Sequence, residues 1–153
     1  MTSATAHDPY AGTTIERNKA TVRRMLARLS AGDVAGFTEH LVPDYRRHCQ
    51  AMPPDLQEIH GKEMMHAWLA SNFTTFPDFH EEVEWLVGEG DVVAWRSRGT
   101  GTQAGPLGPF PATGKRMDLT IMGMHRFEGS LVAETWTSWD NLAVLTQLGH
   151  MVT

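Results

Sequence analysis

The sequence has few cysteines and no long apolar run, and each shortage excludes a class of protein. A single cysteine, Cys49, cannot form an internal disulfide, so the chain suits a reducing compartment such as the cytoplasm. Because no apolar segment approaches the roughly 20 residues of a membrane-spanning helix, no membrane partner is expected. The net charge of −5 provides no basic face for phosphates, which argues against nucleic acid as a partner.

Two kinds of local signal are also missing. The N-terminal segment MTSATAHDPYAGTT lacks the basic-then-apolar pattern of a secretory signal, so we expect residues 1–13 to be a flexible tail. No pair of histidines has the H-x-H or H-x-x-x-H spacing that places two ligands on one face, so no metal site is expected. Residues 14–153 are enough for one hydrophobic core, which predicts a single domain.

The first half of the chain has helical periodicity. The segment TIERNKATVRRMLARLSAGD predicts a helix capped by Thr13 or Thr14 and ending at Gly32. A short second helix, DVAGFTEHLV, follows from Asp33. A third helix is predicted over about residues 61–72, with an apolar stripe of Met64, Met65, Trp68 and Leu69.

The second half changes to the two-residue period of strands. HEEVEWLVGEGDVVAWRSRGTGTQAG predicts two strands joined by a turn at GEGD. KRMDLTIMGMHRF and LVAETWTSW predict two further strands, after which Asp140 caps a closing helix that ends at Gly149. Helices followed by antiparallel strands indicate an α+β fold, with the helices packed against one curved sheet.

The last predicted strand carries acids and tryptophans. Its period places Val132, Glu134, Trp136, Ser138 and Asp140 on one face. We expect this face to line a pocket, because an acid desolvated beside tryptophan has a raised pKa and can exchange protons near neutral pH. The alternative is that Glu134 is solvated and that Asp140 only caps the helix.

Other segments offer partners for these acids. His48 is the candidate to face them from the helical side, with Tyr45 near it, because histidine titrates near neutrality. An arginine in a cavity needs a carboxylate, which predicts a pair of Arg96 with Glu134 or Asp118; the alternative is a solvated or dimer-facing Arg96. The predicted catalytic residues are Glu134, Asp140, His48 and Arg96, and the predicted substrate contacts are Tyr45, Trp68, Phe73, Met117, Met122, Met124 and Trp136.

The order of motifs resembles a known family. The most specific pieces are FPD at 76–78, the GT…G after the arginine-bearing strand, PATGK at 111–115 and the closing E-x-W-x-x-x-D followed by QLG. Over residues 15–149 the chain is similar to the SnoaL-like polyketide cyclases, or ester cyclases, of the nuclear-transport-factor-like superfamily. The resemblance implies a cone, in which a curved antiparallel sheet wraps helices around an internal apolar pocket. It also implies homodimers or homotetramers formed through the convex face of the sheet.

The resemblance further implies an activity in secondary metabolism. The best known relatives close the last ring of an anthracycline precursor, in antibiotic biosynthesis, by an intramolecular aldol condensation. They use a carboxylate to move the protons and need no metal or cofactor. The chain departs from them, because their strand aspartate falls at Thr137 or Trp136 and their histidine at Met122. A small hydrophobic substrate and a cofactor-independent acid/base step are therefore expected, with Glu134 as the nearest carboxylate.

Two other functions stay open. A hydrolase or isomerase of a small lipophile, such as an epoxide or enone, would need an Asp–Arg–Asp set, for which Arg96, Asp118 and Asp140 are the only candidates. A non-catalytic ligand-binding protein would use the same cone as a socket.

Overall fold

The computed structural model describes residues 13–152, which form an α+β fold of four α-helices, one short 3-10 helix over Pro54–Leu56 and one six-stranded sheet. The predicted fold class is confirmed. Of the predicted tail only Thr13 lies within the described residues, where its side chain accepts a hydrogen bond from the Glu16 amide and caps the first helix. The elements are α1 Thr14–Ser30, α2 Val34–Thr38, β1 Leu41–Cys49, β2 Glu58–His60, α3 Lys62–Thr75, β3 His80–Glu89, β4 Val92–Thr102, β5 Arg116–Glu128, β6 Leu131–Ser138 and α4 Asn141–Gln147.

The strand order in the sheet is β2-β1-β6-β5-β4-β3. Neighbouring strands are antiparallel except β1 and β6, which run parallel, so the sheet is mixed where an antiparallel one was expected. The segment that contains β1 was predicted to lead away from a helix. It forms a strand despite Pro43, because its pairing with β6 is interrupted between Leu41 and Arg46, where the missing N–H of proline is tolerated.

Two helices differ in length from their predictions. The second helix was predicted to include Leu41 and Val42, but α2 ends at Thr38 because the following residues join the sheet. α3 extends past residue 72 to Thr75, since Pro77 disfavours helical geometry only at the residue before it. None of the helices within residues 13–152 is both long enough and apolar enough to cross a membrane.

The sheet has two faces of different character. Helix α1 packs on β3 and β4, α3 packs on β1, and α4 packs on β5, and we call the side that they cover the inner face. Side chains alternate across the strands, so Val93, Trp95 and Ser97 of β4 are buried on the inner face. The opposite side, the outer face, leaves five large apolar side chains exposed, namely Trp85, Val87, Met122, Met124 and Trp136.

Candidate active site

A cavity of 470 Å³ lies between the inner face and the helices. Its wall includes Leu26 of α1, Trp68 of α3, Met117 of β5 and Val144 of α4, together with the loop over residues 106–110. A mostly apolar hollow of this size is typical of sites for small organic ligands. The internal pocket that the resemblance implied is therefore present in the fold.

Among residues 13–152, four ionisable side chains line this cavity. They are Tyr45 and Arg47 on β1, Glu81 on β3 and His125 on β5, and all four are buried. Each lies on a strand, so the sheet fixes its direction, and each would lose solvation in its charged form. Within the described residues, no three His, Cys, Asp or Glu side chains are grouped to hold a metal ion.

Glu81 is the carboxyl group of the cavity. Ser97 Oγ donates a hydrogen bond to its Oε1 at 2.5 Å, and Trp95 Nε1 donates to the same oxygen at 3.3 Å. Its Oε2 accepts no hydrogen bond from residues 13–152. Burial raises the pKa of Glu81 above its ordinary value of 4.5, and the two hydrogen bonds only partly oppose that rise. The group therefore has the properties of a general acid or base with one free oxygen.

The Trp95 indole links Glu81 to His125. Its ring stacks on the His125 imidazole, with centroids 4.2 Å apart and planes inclined by 13°. Gly123, which faces Trp95 across the β4–β5 pair, makes this arrangement possible. A Cβ at Gly123 would lie 2.8 Å from Trp95 Cζ2 and 2.6 Å from the Trp136 carbonyl oxygen, so any side chain would displace the indole.

His125 is a buried neutral imidazole. Burial lowers its pKa to about 3, far below the ordinary 6.5, so it carries no charge at neutral pH. Its Nδ1 lies 2.8 Å from Thr135 Oγ1, while its buried Nε2 has no partner among residues 13–152. Next to Thr135 is the phenol of Tyr45, whose pKa burial raises to about 12. His125 and Thr135 are therefore a neutral hydrogen-bonded pair beside Tyr45, and the Nε2 of His125 stays unused within the described residues.

Arg47 is a buried guanidinium in the cavity wall. Its side chain is 2% exposed, and its Cζ lies 4.1 Å from the centroid of the Trp68 ring. Nη2 donates to the Leu56 carbonyl at 3.2 Å, whereas the buried Nε has no partner in the described part of the chain. Burial lowers the pKa of Arg47. None of the ion pairs within residues 13–152 includes it.

Glu134 and His48 do meet, but on the outer face. Glu134 Oε2 lies 2.7 Å from His48 Nε2, and the His48 ring stacks on Trp136 with centroids 5.5 Å apart. Hydrogen bonds from His48 and then Arg126 lower the pKa of Glu134, although partial burial opposes them. The prediction that Glu134 and Trp136 line the cavity is wrong, because the β6 residues that reach it are Thr135 and Thr137.

The arginine and aspartate predictions also change. Arg96 forms an ion pair with Glu84 on the outer face, and Asp118 pairs with Arg98, so neither predicted partner of Arg96 is correct. The reason is strand direction, since β4 presents Trp95 and Ser97 inward and its arginines outward. Asp140 accepts a hydrogen bond from the Ala143 amide at 3.0 Å and caps α4, as its alternative role required. An Asp–Arg–Asp set is therefore not assembled from Arg96, Asp118 and Asp140.

The predicted substrate contacts divide between the two faces. Tyr45, Trp68 and Met117 line the cavity. Phe73 is outside the cavity wall and packs edge-on against Phe79, with ring centroids 6.3 Å apart. Met122, Met124 and Trp136 point away from the cavity and are exposed on the outer face, because they occupy the alternate positions of β5 and β6.

Sequence reasoning missed three of the four ionisable residues. For His125 a signal existed, because it shares a strand face with Leu119, Ile121 and Gly123, a mostly apolar set. Arg47 follows Tyr45 by two residues and so shares its face. Glu81 gave no signal, since it stands in a run of acids and β3 changes register between Val83 and Trp85.

Solved structures of proposed polyketide cyclases and of a proposed hydroxylase are similar to this chain. No curated protein matches it significantly. A solved structure of a proposed SnoaL-like polyketide cyclase from Jannaschia sp. CCS1 is 26% identical, with a TM-score of 0.81 over 92% of this chain and 96% of that one. AclR, a proposed hydroxylase from Streptomyces galilaeus, is 25% identical, with a TM-score of 0.79 over 91% and 100% of the two chains.

A third similar structure is IdmH, a proposed polyketide cyclase from Streptomyces antibioticus. It is 26% identical, with a TM-score of 0.74 over 86% of this chain and 98% of that one. The family model for SnoaL-like polyketide cyclases matches residues 19–148, which is most of the domain. The cone-shaped fold, the inner cavity and this match agree with one another, and the chain belongs to the SnoaL-like polyketide cyclase family.

Proposed function

We propose that the protein is a cofactor-independent enzyme of secondary metabolism that performs an aldol-type cyclisation, or a related acid/base step, on an aromatic polyketide. The observation that supports this most is the desolvated Glu81 carboxyl in an apolar cavity of 470 Å³. Family membership supports a small hydrophobic substrate and an enzymatic role. The similar structures described as proposed polyketide cyclases point the same way.

Glu81 is the proposed proton carrier. In the ionised form, its free Oε2 takes a proton from the carbon between two carbonyl groups, and the C–H electron pair becomes an enolate. The enolate carbon attacks the carbon of a third carbonyl group, farther along the same molecule, and the π electrons of that carbonyl move to its oxygen. The alkoxide takes the proton back from Glu81, so a ring closes with no net gain or loss of atoms.

His125 is the proposed donor to the enolate oxygen. If Thr135 donates to Nδ1, the imidazole carries its proton on Nε2, the atom without a partner among residues 13–152. The low pKa of His125 keeps it a neutral donor, which stabilises developing negative charge without transferring its proton. An enone isomerisation would use the same two groups, which is why the proposal includes related acid/base steps.

The test is proton exchange and ring closure in heavy water. An anthraquinone that carries a β-keto ester chain is incubated with the protein, and mass spectrometry and chromatography follow deuterium uptake and the cyclised isomer. Glu81→Gln preserves the shape and the Oε1 hydrogen bonds of the carboxyl group but cannot accept the proton, so both rates should fall by ~100-fold or more. Glu134→Gln, a matched change on the outer face, should leave both rates unchanged.

Two results would contradict the proposal. If Glu134→Gln abolishes exchange while Glu81→Gln does not, the outer-face acid is the catalytic group. If the wild-type protein binds the probe and accelerates neither exchange nor closure, the protein is a ligand carrier. The pH dependence is a further check, because loss of the base on acidification should begin above pH 4.5 in the wild type.

We also propose a homodimer formed through the outer face. Trp85 is 68% exposed and Met122 is 57% exposed, and both belong to the apolar set of the outer face. Soluble monomers rarely expose large contiguous apolar patches, and such patches commonly mark protein–protein interfaces. A cytoplasmic location stays a prediction from the cysteine content.

A further inference from the structure

Arg47 is a charge without a counter-charge. Among residues 13–152, Glu81 has the only carboxyl group in the cavity wall, and none of the ion pairs joins it to Arg47. Burial, and not attraction to the guanidinium, dominates the pKa of Glu81, so the two groups do not compensate each other. A buried cation of this kind is costly unless something neutralises it.

The residues around Arg47 orient its guanidinium group without supplying an anion. The Trp68 ring lies against the guanidinium, and the Leu56 carbonyl accepts one hydrogen bond from Nη2. These contacts fix the plane of the group without neutralising its charge. The Nε donor remains buried, unpartnered and part of a side chain that lines the cavity. A planar fork of N–H donors in a mostly apolar cavity matches a carboxylate in shape and charge.

We propose that the cavity takes an aromatic ligand that bears a free carboxylate, and that Arg47 binds this carboxylate. The inference rests on the proposed function and specifies its substrate class as aromatic molecules that carry a free carboxylate apart from the reacting carbonyl groups. The anion would supply the missing counter-charge to Arg47. It would also fix the orientation of the substrate relative to Glu81.

The test compares one acid with its ester. Anthraquinone-2-carboxylate and its methyl ester have the same ring system, and calorimetric titration measures the affinity of each. A charge-assisted pair in this site should make the wild type bind the acid ~10- to 100-fold more tightly. Arg47→Met, which keeps the side-chain length and removes the charge, should abolish this preference, and Arg47→Lys should restore only part of it.

A matched control and a folding check complete the experiment. Arg98→Met removes a guanidinium from the outer face, where Arg98 pairs with Asp118, and should leave the preference for the acid unchanged. Circular dichroism and thermal unfolding establish that Arg47→Met is folded. Met is expected to be tolerated there, because replacing a buried charge with an apolar group of similar size is often neutral or stabilising.

Three outcomes would overturn the inference. They are equal affinity of the wild type for acid and ester, a preference for the acid that survives in Arg47→Met, and failure of both probes to bind. The enzymatic proposal fails independently. If the protein prefers the acid but turns over no keto ester, the carboxylate site is supported and the enzymatic proposal fails. If it turns over a keto ester without preferring the acid, the enzymatic proposal is supported and the carboxylate site fails.

Discussion

At the scale of single residues, burial controls the chemistry of the cavity. The pKa of Glu81 rises and that of His125 falls, because each charged form would lose its water. On the outer face, Glu134 has hydrogen-bond donors and its pKa falls instead. The sequence places a carboxylate beside tryptophan at Glu134, but only the structure shows which of the two acids is desolvated.

The low pKa of His125 predicts a specific loss of stability in acid. Unfolded histidine takes up a proton below about pH 6.5, whereas folded His125 resists protonation until about pH 3. Between these values unfolding binds a proton, so the contribution of His125 to the unfolding free energy falls by up to about 1.4 kcal/mol for each pH unit of acidification. Urea unfolding of the wild type and of His125→Gln should show this difference in slope.

Glu81 contributes in the opposite direction, since its raised pKa lowers stability as pH rises above about 4.5. Because Glu81 is present in both the wild type and His125→Gln, its contribution to the pH dependence of the unfolding free energy cancels when the two are compared. His80→Gln, at an exposed histidine, is the control and should keep the wild-type slope. Identical slopes for wild type and His125→Gln would show that His125 is not a buried neutral group.

At the scale of elements, the sequence predicts strands well and their direction poorly. The two-residue period of β4, β5 and β6 is visible in the sequence, and the predicted turns at GEGD and EGS do lie where β3 meets β4 and where β5 meets β6. Which phase faces the helices is not visible, because β6 has mixed residues on both faces and its pairing with β5 shifts between Arg126 and Phe127. The sequence of the neighbouring strand β5 does indicate the inner face, because Met117, Leu119 and Ile121 make one of its faces apolar.

The contact between β4 and β5 gives a prediction at this scale. Gly123→Ala should push the Trp95 indole off His125 and weaken its hydrogen bond to Glu81. Overpacking of this kind costs about 1–3 kcal/mol in unfolding free energy. Near-ultraviolet circular dichroism and urea unfolding measure the two effects. Thr120→Ala, on the outer face of the same strand, should change neither, and an unaltered Trp95 signal in Gly123→Ala would contradict the packing described.

At the scale of the whole molecule, the two faces of one sheet differ in character. The inner face holds the cavity, and the outer face holds exposed apolar groups interspersed with ion pairs such as Arg98 with Asp118. The family resemblance predicts the cone and its pocket from sequence, and both are present. The division of residues between the faces follows only from the assembled sheet.

The proposed dimer is a prediction at this scale. Met122→Glu places a charge in the centre of the apolar outer face and should convert the dimer to a monomer in sedimentation velocity experiments. Leu142→Glu alters an exposed leucine of α4, away from the sheet, and should remain dimeric. A monomeric wild type, or a Met122→Glu variant that stays dimeric, would show that the outer face is not the interface.

The tryptophans provide the most direct measurement of which face binds ligand. Trp68, Trp95 and Trp139 line the cavity, whereas Trp85 and Trp136 are on the outer face. The protein labelled with 5-fluorotryptophan is titrated with anthraquinone-2-carboxylate, and its ¹⁹F resonances are assigned with single Trp→Phe variants. We expect the resonances of the three cavity tryptophans to shift while those of Trp85 and Trp136 stay in place. Shifts at Trp136 or Trp85, with the other three unmoved, would contradict it.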